Sequence, residues 1–168
     1  MNNKSSNGGR KAGARRRSNR GFTLIELVMV VAIGMILAAM ALPALKSSLQ
    51  YFRLRSAVSS VTGAIQSTRY RAIFDGCPYN ISFDATANTY QIASETNGGS
   101  ACASSFTNVG TAVPWGISNV VLNQNTTLQF KPSGLVTATT GAMTMTLTYG
   151  PNTKTITVSN YGNVNVTP

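Results

Sequence analysis

The feature that most constrains this chain is a run of nineteen residues, Leu27 to Leu45, that holds no charged side chain. Hydrocarbon about 30 Å thick needs roughly 20 residues at 1.5 Å each, so such a run reads as a membrane-spanning helix. It is apolar on every face, as a span must be, and Gly34 and Pro43 are its weak points. A proline inside a helix removes one backbone hydrogen bond and usually kinks the axis, though a kink is not a break. Glu26, directly before the run, does not suit a plain anchor. A charge near mid-bilayer costs on the order of 2.5–3.5 kcal/mol on insertion scales, so an intramembrane acid implies a partner and a task.

The charge is divided unevenly along the chain. Of the formal +10, seven units sit in the first twenty residues, on Lys4, Arg10, Lys11, Arg15, Arg16, Arg17 and Arg20, with no acid among them. The remainder sets seven basic residues against Glu26, Asp75, Asp84 and Glu95, a net +3. A basic cluster can bind nucleic acid, but one abutting a span sets topology through the excess of Lys and Arg on the cytoplasmic side. The leader is therefore expected in the cytoplasm and everything past the helix outside it. Its Ser-, Asn-, Gly- and Arg-rich composition lacks apolar periodicity, which fits a disordered segment. Cys77 and Cys102 would then lie in an oxidising compartment, where an even count suggests a disulfide. Two unrelated buried thiols are the alternative, and neither cysteine has the Cys-x-x-Cys spacing of a redox or zinc site.

Gly21-Phe22-Thr23-Leu24-Ile25-Glu26 followed by the apolar helix resembles the class III signal of type IV pilins and type II secretion pseudopilins. That resemblance implies cleavage after Gly21 by a prepilin peptidase and N-methylation of the new N-terminal Phe22. It also puts Glu26 at the position the family uses in assembly, and Pro43 where many members kink the helix. A rival reading takes Ala39-Met40-Ala41 as the small-residue site of a secretory signal peptide, which would discard the apolar stretch and release a soluble product. Glu26 has no purpose inside such an h-region.

Beyond Lys46 the pattern turns amphipathic. Leu45, Leu49 and Phe52, then Val58, Val61, Ile65, Thr68 and Ala72, recur at spacings of three and four and predict one helix from Phe22 to about Phe74. Its outer half should pack on a globular head; a continuing coiled coil has too short a repeat. Asp75-Gly76-Cys77-Pro78 should stop the helix. The composition then shifts to Thr, Val, Asn and Gly, with candidate strands at Tyr79–Phe83, Tyr90–Ala93, Val120–Leu122, Thr127–Phe130, Met143–Tyr149, Thr155–Ser159 and Asn163–Val166. Turns at Gly150-Pro151-Asn152 and Asn160-Tyr161-Gly162 make the last three a meander. Thr96 to Thr107 reads as a loop that a disulfide would tie back to the helix end.

The segment Ser67-Thr68-Arg69-Tyr70-Arg71-Ala72-Ile73, the pair Trp115-Gly116, Phe130-Lys131-Pro132-Ser133-Gly134 and the closing Ile156 to Gly162 are similar to the GspH/FimT group of minor pilins and pseudopilins. The implied fold is α+β, a long hydrophobic N-terminal α-helix packed on a C-terminal antiparallel β-rich head. The implied organisation is a removed leader over 1–21, a transmembrane or filament-core helix over 22–45, its amphipathic continuation over 46–75 and a head over 76–168. The implied partners are the prepilin peptidase, other pilin or pseudopilin subunits reached through the helix, and the inner membrane before assembly. Some DNA-uptake members end in Gly-Arg-x-Arg; this chain has Gly162-Asn163-Val164-Asn165, so both charges are missing and DNA is not an expected partner.

Catalysis has little to draw on. There is no histidine, hence no commonest general base or metal ligand. Apart from Glu26 the acids are scattered, and the hydroxyl-rich strands lack a base to activate them. A calcium site would have only Asp84 and Glu95, fewer oxygens than that ion usually takes. No cofactor and no catalytic residue is expected, and Trp115 and the tyrosines read as core or rim residues. The sequence thus points to a structural assembly subunit. Rival readings are a DNA-binding minor pilin, which would need one patch from Arg53, Arg55, Arg69, Arg71, Lys131 and Lys154, an unprocessed bitopic protein, and a secreted binding module.

Overall fold

The computed structural model describes residues 21–96, 102–116 and 119–168. The chain divides into two compact units, Met1–Ala41 and Leu42–Pro168. One helix, α1, spans Leu24–Asp75 and continues through Pro43. It ends as expected: Gly76 takes a φ of +66°, a left-handed conformation that costs glycine nothing for want of a Cβ, and Pro78 follows.

Within the second unit the helix buries Leu54, Ala57, Val58, Val61, Ala64, Ile65, Thr68 and Ala72, a stripe at three- and four-residue intervals. The Thr68 hydroxyl is accommodated there by donating to the Ala64 carbonyl at 2.7 Å. Leu45, Leu49 and Phe52 belong to the apolar pattern but not to this core; all three are exposed. Leu54 and Ala57, which the expected stripe omitted, take the burial instead. Periodicity records which face is apolar, not which element will cover it.

Ten strands follow among the described residues: β1 Tyr79–Asp84, β2 Thr89–Thr96, β3 Cys102–Asn108, β4 Val113–Pro114, β5 Val121–Leu122, β6 Thr126–Phe130, β7 Val136–Thr140, β8 Thr144–Tyr149, β9 Asn152–Val158 and β10 Val164–Thr167. One antiparallel sheet has the order β3-β2-β1-β6-β7, with β4 also on β2; the other has the order β10-β9-β8-β5. All seven expected strands are present within a few residues, and the closing meander is β8-β9-β10. The expected Thr96–Thr107 loop is corrected: from Cys102 it is strand β3. β4 and β7 were likewise not foreseen. β3 buries none of its side chains and β7 buries only Val136, so neither carries the apolar alternation that marks a half-buried strand.

Inward residues of both sheets, among them Ile81, Phe83, Leu128, Phe130, Met145, Leu147, Ile156 and Val158, form one core with the helical stripe. Trp115 lies in it, 2% exposed, its ring centroid 6.1 Å from that of Phe83. The next residue touches the helix: a Cβ on Gly116 would stand 3.1 Å from the Ala57 Cβ. Two small residues let loop and helix approach, and a larger side chain at either place would separate them.

Candidate functional site

The N-terminus of α1 is built by Thr23. Its hydroxyl oxygen accepts from the Glu26 amide at 3.3 Å, and its carbonyl accepts from the Leu27 amide at 3.2 Å. Thr23 is thus the cap, and Thr-x-x-Glu is the spacing of a capping box, which places Glu26 in the first turn. The unpaired amides and the helix dipole favour an anion there. Thr23 was not among the residues expected to matter; that four-residue spacing is the signal that marks it. Gly21 and Phe22 precede the helix outside any regular element and are exposed, Phe22 at 82%.

From Gly21 to Leu49 every residue is exposed, including Ile25, Leu27, Met29, Val30, Ile36 and Leu42. The helix is long and apolar enough to cross a membrane by length and composition. No basic residue lies between Phe22 and Leu45, so nothing on this segment can neutralise Glu26 from the chain side.

At the outer end of the helix Cys77 and Cys102 form a disulfide, with S–S 2.05 Å and Cα–Cα 5.6 Å. Cys77 is buried and Cys102 exposed, so the bond joins the post-helix segment to the start of β3. Beside it the Tyr79 hydroxyl donates to an Asp75 carboxylate oxygen. Burial, and then that hydrogen bond, push the Tyr79 hydroxyl above the ordinary tyrosine range.

Three of the segments singled out in the sequence converge at one junction. Arg69 Nε donates to the Gly134 carbonyl at 3.4 Å, and a Cβ on Gly162 would stand 2.5 Å from Arg69 Cδ. Gly134 and Gly162 both have positive φ, +79° and +77°, and close the β6–β7 and β9–β10 turns. The Val136 amide joins the two sheets there by donating to the Asn160 carbonyl at 2.8 Å. Arg69 therefore lies across one turn from each sheet, and Gly162 leaves it room.

The six cations do not form one patch, although Arg55 and Lys154 line one cavity and Arg69 bonds the turn that holds Lys131. Arg53 and Arg71 are eighteen residues apart, about five helical turns, so they share one flank of the buried stripe; Arg55 and Arg69 lie on the other. Arg53 donates to the Tyr149 hydroxyl at 3.2 Å, while Lys131 sits in the β6–β7 turn and Lys154 in β9. Asp84 accepts from the amides of Thr86 and Ala87 at 2.8 and 3.0 Å, whereas Glu95 lies at the opposite end of the β1–β2 ladder. Among the described residues no three His, Cys, Asp or Glu side chains group as metal ligands would.

Residues 16–42 match the prokaryotic N-terminal methylation motif, and residues 57–162 match the family described as type II transport protein GspH. The type II secretion system protein H of Xanthomonas campestris pv. campestris is 33% identical over 75 residues, which cover 45% of this chain and 44% of that protein. The chain thus spans less than half the length of this curated relative. No solved structure matches. The family consists of structural proteins rather than enzymes. The apolar helix, the β-rich head and a match over most of that head lead to one conclusion: the chain belongs to the GspH family of pilin-like pseudopilins.

Proposed function

We propose that this chain is a minor pilin or pseudopilin subunit that a prepilin peptidase cleaves after Gly21, that is N-methylated on Phe22, and that enters a filament through its N-terminal helix. The observation that carries the reading is the exposed apolar helix opening on Glu26. Hydrocarbon covers this surface before assembly and neighbouring subunits cover it afterwards. On this reading 1–21 is the cytoplasmic leader, 22–45 the span and later filament core, 46–75 its continuation and 76–168 the head. The span lies in the inner membrane with the head on the periplasmic side, as the seven cations of the leader favour. The named relative belongs to type II secretion, which supports a secretion pseudopilus over a type IV pilus.

Glu26 supplies the register. Its carboxylate needs a cation, and the segment offers none except the Phe22 amine freed by cleavage. The amine of a neighbouring subunit meets that need and draws each subunit to one axial offset. In a low-dielectric setting the pair is strong and a lone partner costly. Capping and dipole effects are worth only about 0.3–1 kcal/mol each, so losing them alone would not remove a subunit from a filament. Glu26→Gln, nearly isosteric, should leave cleavage and membrane insertion intact yet deplete the subunit from sheared filaments. Wild-type amounts of the Gln variant in those filaments would refute the pairing role.

A further inference from the structure

The outer edge of β2 is covered by one continuous segment, residues 102–114. β3 pairs with its far half through Ala93↔Asn108, Ser94↔Thr107 and Thr96↔Cys102, with a register shift between Ser94 and Thr96. β4 pairs with its near half through Thr89↔Pro114 and Tyr90↔Val113. Between them the Val109 amide donates to the Ile92 carbonyl at 2.8 Å. None of these thirteen residues is buried; Ala103 and Phe106 are half-buried and the other eleven exposed. Beyond the backbone ladder the segment is held by the Thr107 hydroxyl donating to the Ser94 carbonyl at 3.3 Å and the Gln91 side-chain amide donating to the Gly110 carbonyl at 3.2 Å, with no buried side chain, which puts it at the low-stability end of the fold.

Its two ends are held differently. At one, Trp115 is sunk in the core directly after Pro114. At the other, Cys102 is bonded to Cys77, which follows the helix. One anchor is apolar packing, indifferent to redox conditions, and the other is a covalent bond with one exposed sulfur-bearing residue.

We propose that residues 102–114 are a redox-releasable strap: reduction of Cys77–Cys102 frees the strap back to Trp115 and uncovers the backbone edge of β2, while the core stays folded. The reductant is a dithiol. One of its thiolates attacks the Sγ of exposed Cys102, the Sγ–Sγ bond breaks, and Cys77 leaves with the electron pair and takes up a proton. The second thiol then attacks the mixed disulfide, releasing Cys102 as a thiol and closing the reductant into a disulfide.

The test is hydrogen–deuterium exchange on the full chain in detergent micelles, before and after dithiothreitol, and on the Cys77→Ser/Cys102→Ser variant. Emission from Trp115, the single tryptophan, reports the core in parallel. Peptides from 102–114 and 89–96 should lose about tenfold or more protection beyond any loss in β8 and β9, with the Trp115 emission unchanged. Unchanged protection of 102–114 after confirmed reduction would overturn the proposal. So would an equal loss across β8 and β9, because the bond would then be holding the whole head.

Discussion

Two leucines five residues apart on α1 separate what holds the head together from what the helix offers to others. Leu54 is 1% exposed and packs in the core; Leu49 is 44% exposed. Leu54→Ala deletes buried methyl groups and leaves a cavity where helix and sheets meet, at a cost of about 2–5 kcal/mol. With a urea m-value of roughly 1–3 kcal/mol/M, a loss near 3 kcal/mol moves the unfolding midpoint down by about 1–3 M. Leu49→Ala removes a side chain already in contact with solvent and should stay within about 0.5 kcal/mol of wild type. Urea titration of the full chain in micelles, read by Trp115 emission, measures both. Filament incorporation should rank them the other way, with Leu49→Ala depleted at wild-type head stability. Equal midpoint shifts for the two variants would refute the division of the helix drawn here at Leu54.

The disulfide and the helix end give two further tests. Cys77–Cys102 closes a loop with a sequence separation of 25, which in the chain-entropy model is worth about 3–4 kcal/mol, so Cys77→Ser should lower the melting temperature under oxidising conditions. Identical melting of wild type with and without reductant would contradict this. Tyr79 has a raised pKa in the fold, so its contribution is complete below the ordinary tyrosine value of about 10 and is lost as pH rises through the folded value. Alkaline unfolding curves should therefore fall above about pH 10, and Tyr79→Phe should flatten that limb; an unaltered limb would assign the loss to other groups.

How far the sequence reveals this molecule depends on whether each residue's partner is coded nearby. The helix is legible because an uncharged run and the Gly21–Glu26 signal are local patterns, and its stop because Gly76 and Pro78 act through their own backbone geometry. β1, β6, β8 and β9 alternate buried and less buried side chains and can be read as strands. β3 cannot, because an edge strand with no buried side chain is defined by the hydrogen bonds of a neighbour. The Arg69 junction was visible only as three separate segments, since Arg69, Gly134 and Gly162 are far apart in sequence and meet through tertiary packing alone. Leu45, Leu49 and Phe52 mark the reverse case, an apolar pattern real in the sequence that the fold leaves exposed.

Cleavage after Gly21 should free the Phe22 amine at the head of this helix, and assembly should then bury the helix among other subunits. Mass spectrometry of the N-terminal peptide from chain recovered in sheared filaments checks both steps at once. The peptide should begin at Phe22 and carry one added methyl group; a peptide beginning at Met1 or Leu42, or no chain in the filament fraction, would contradict this.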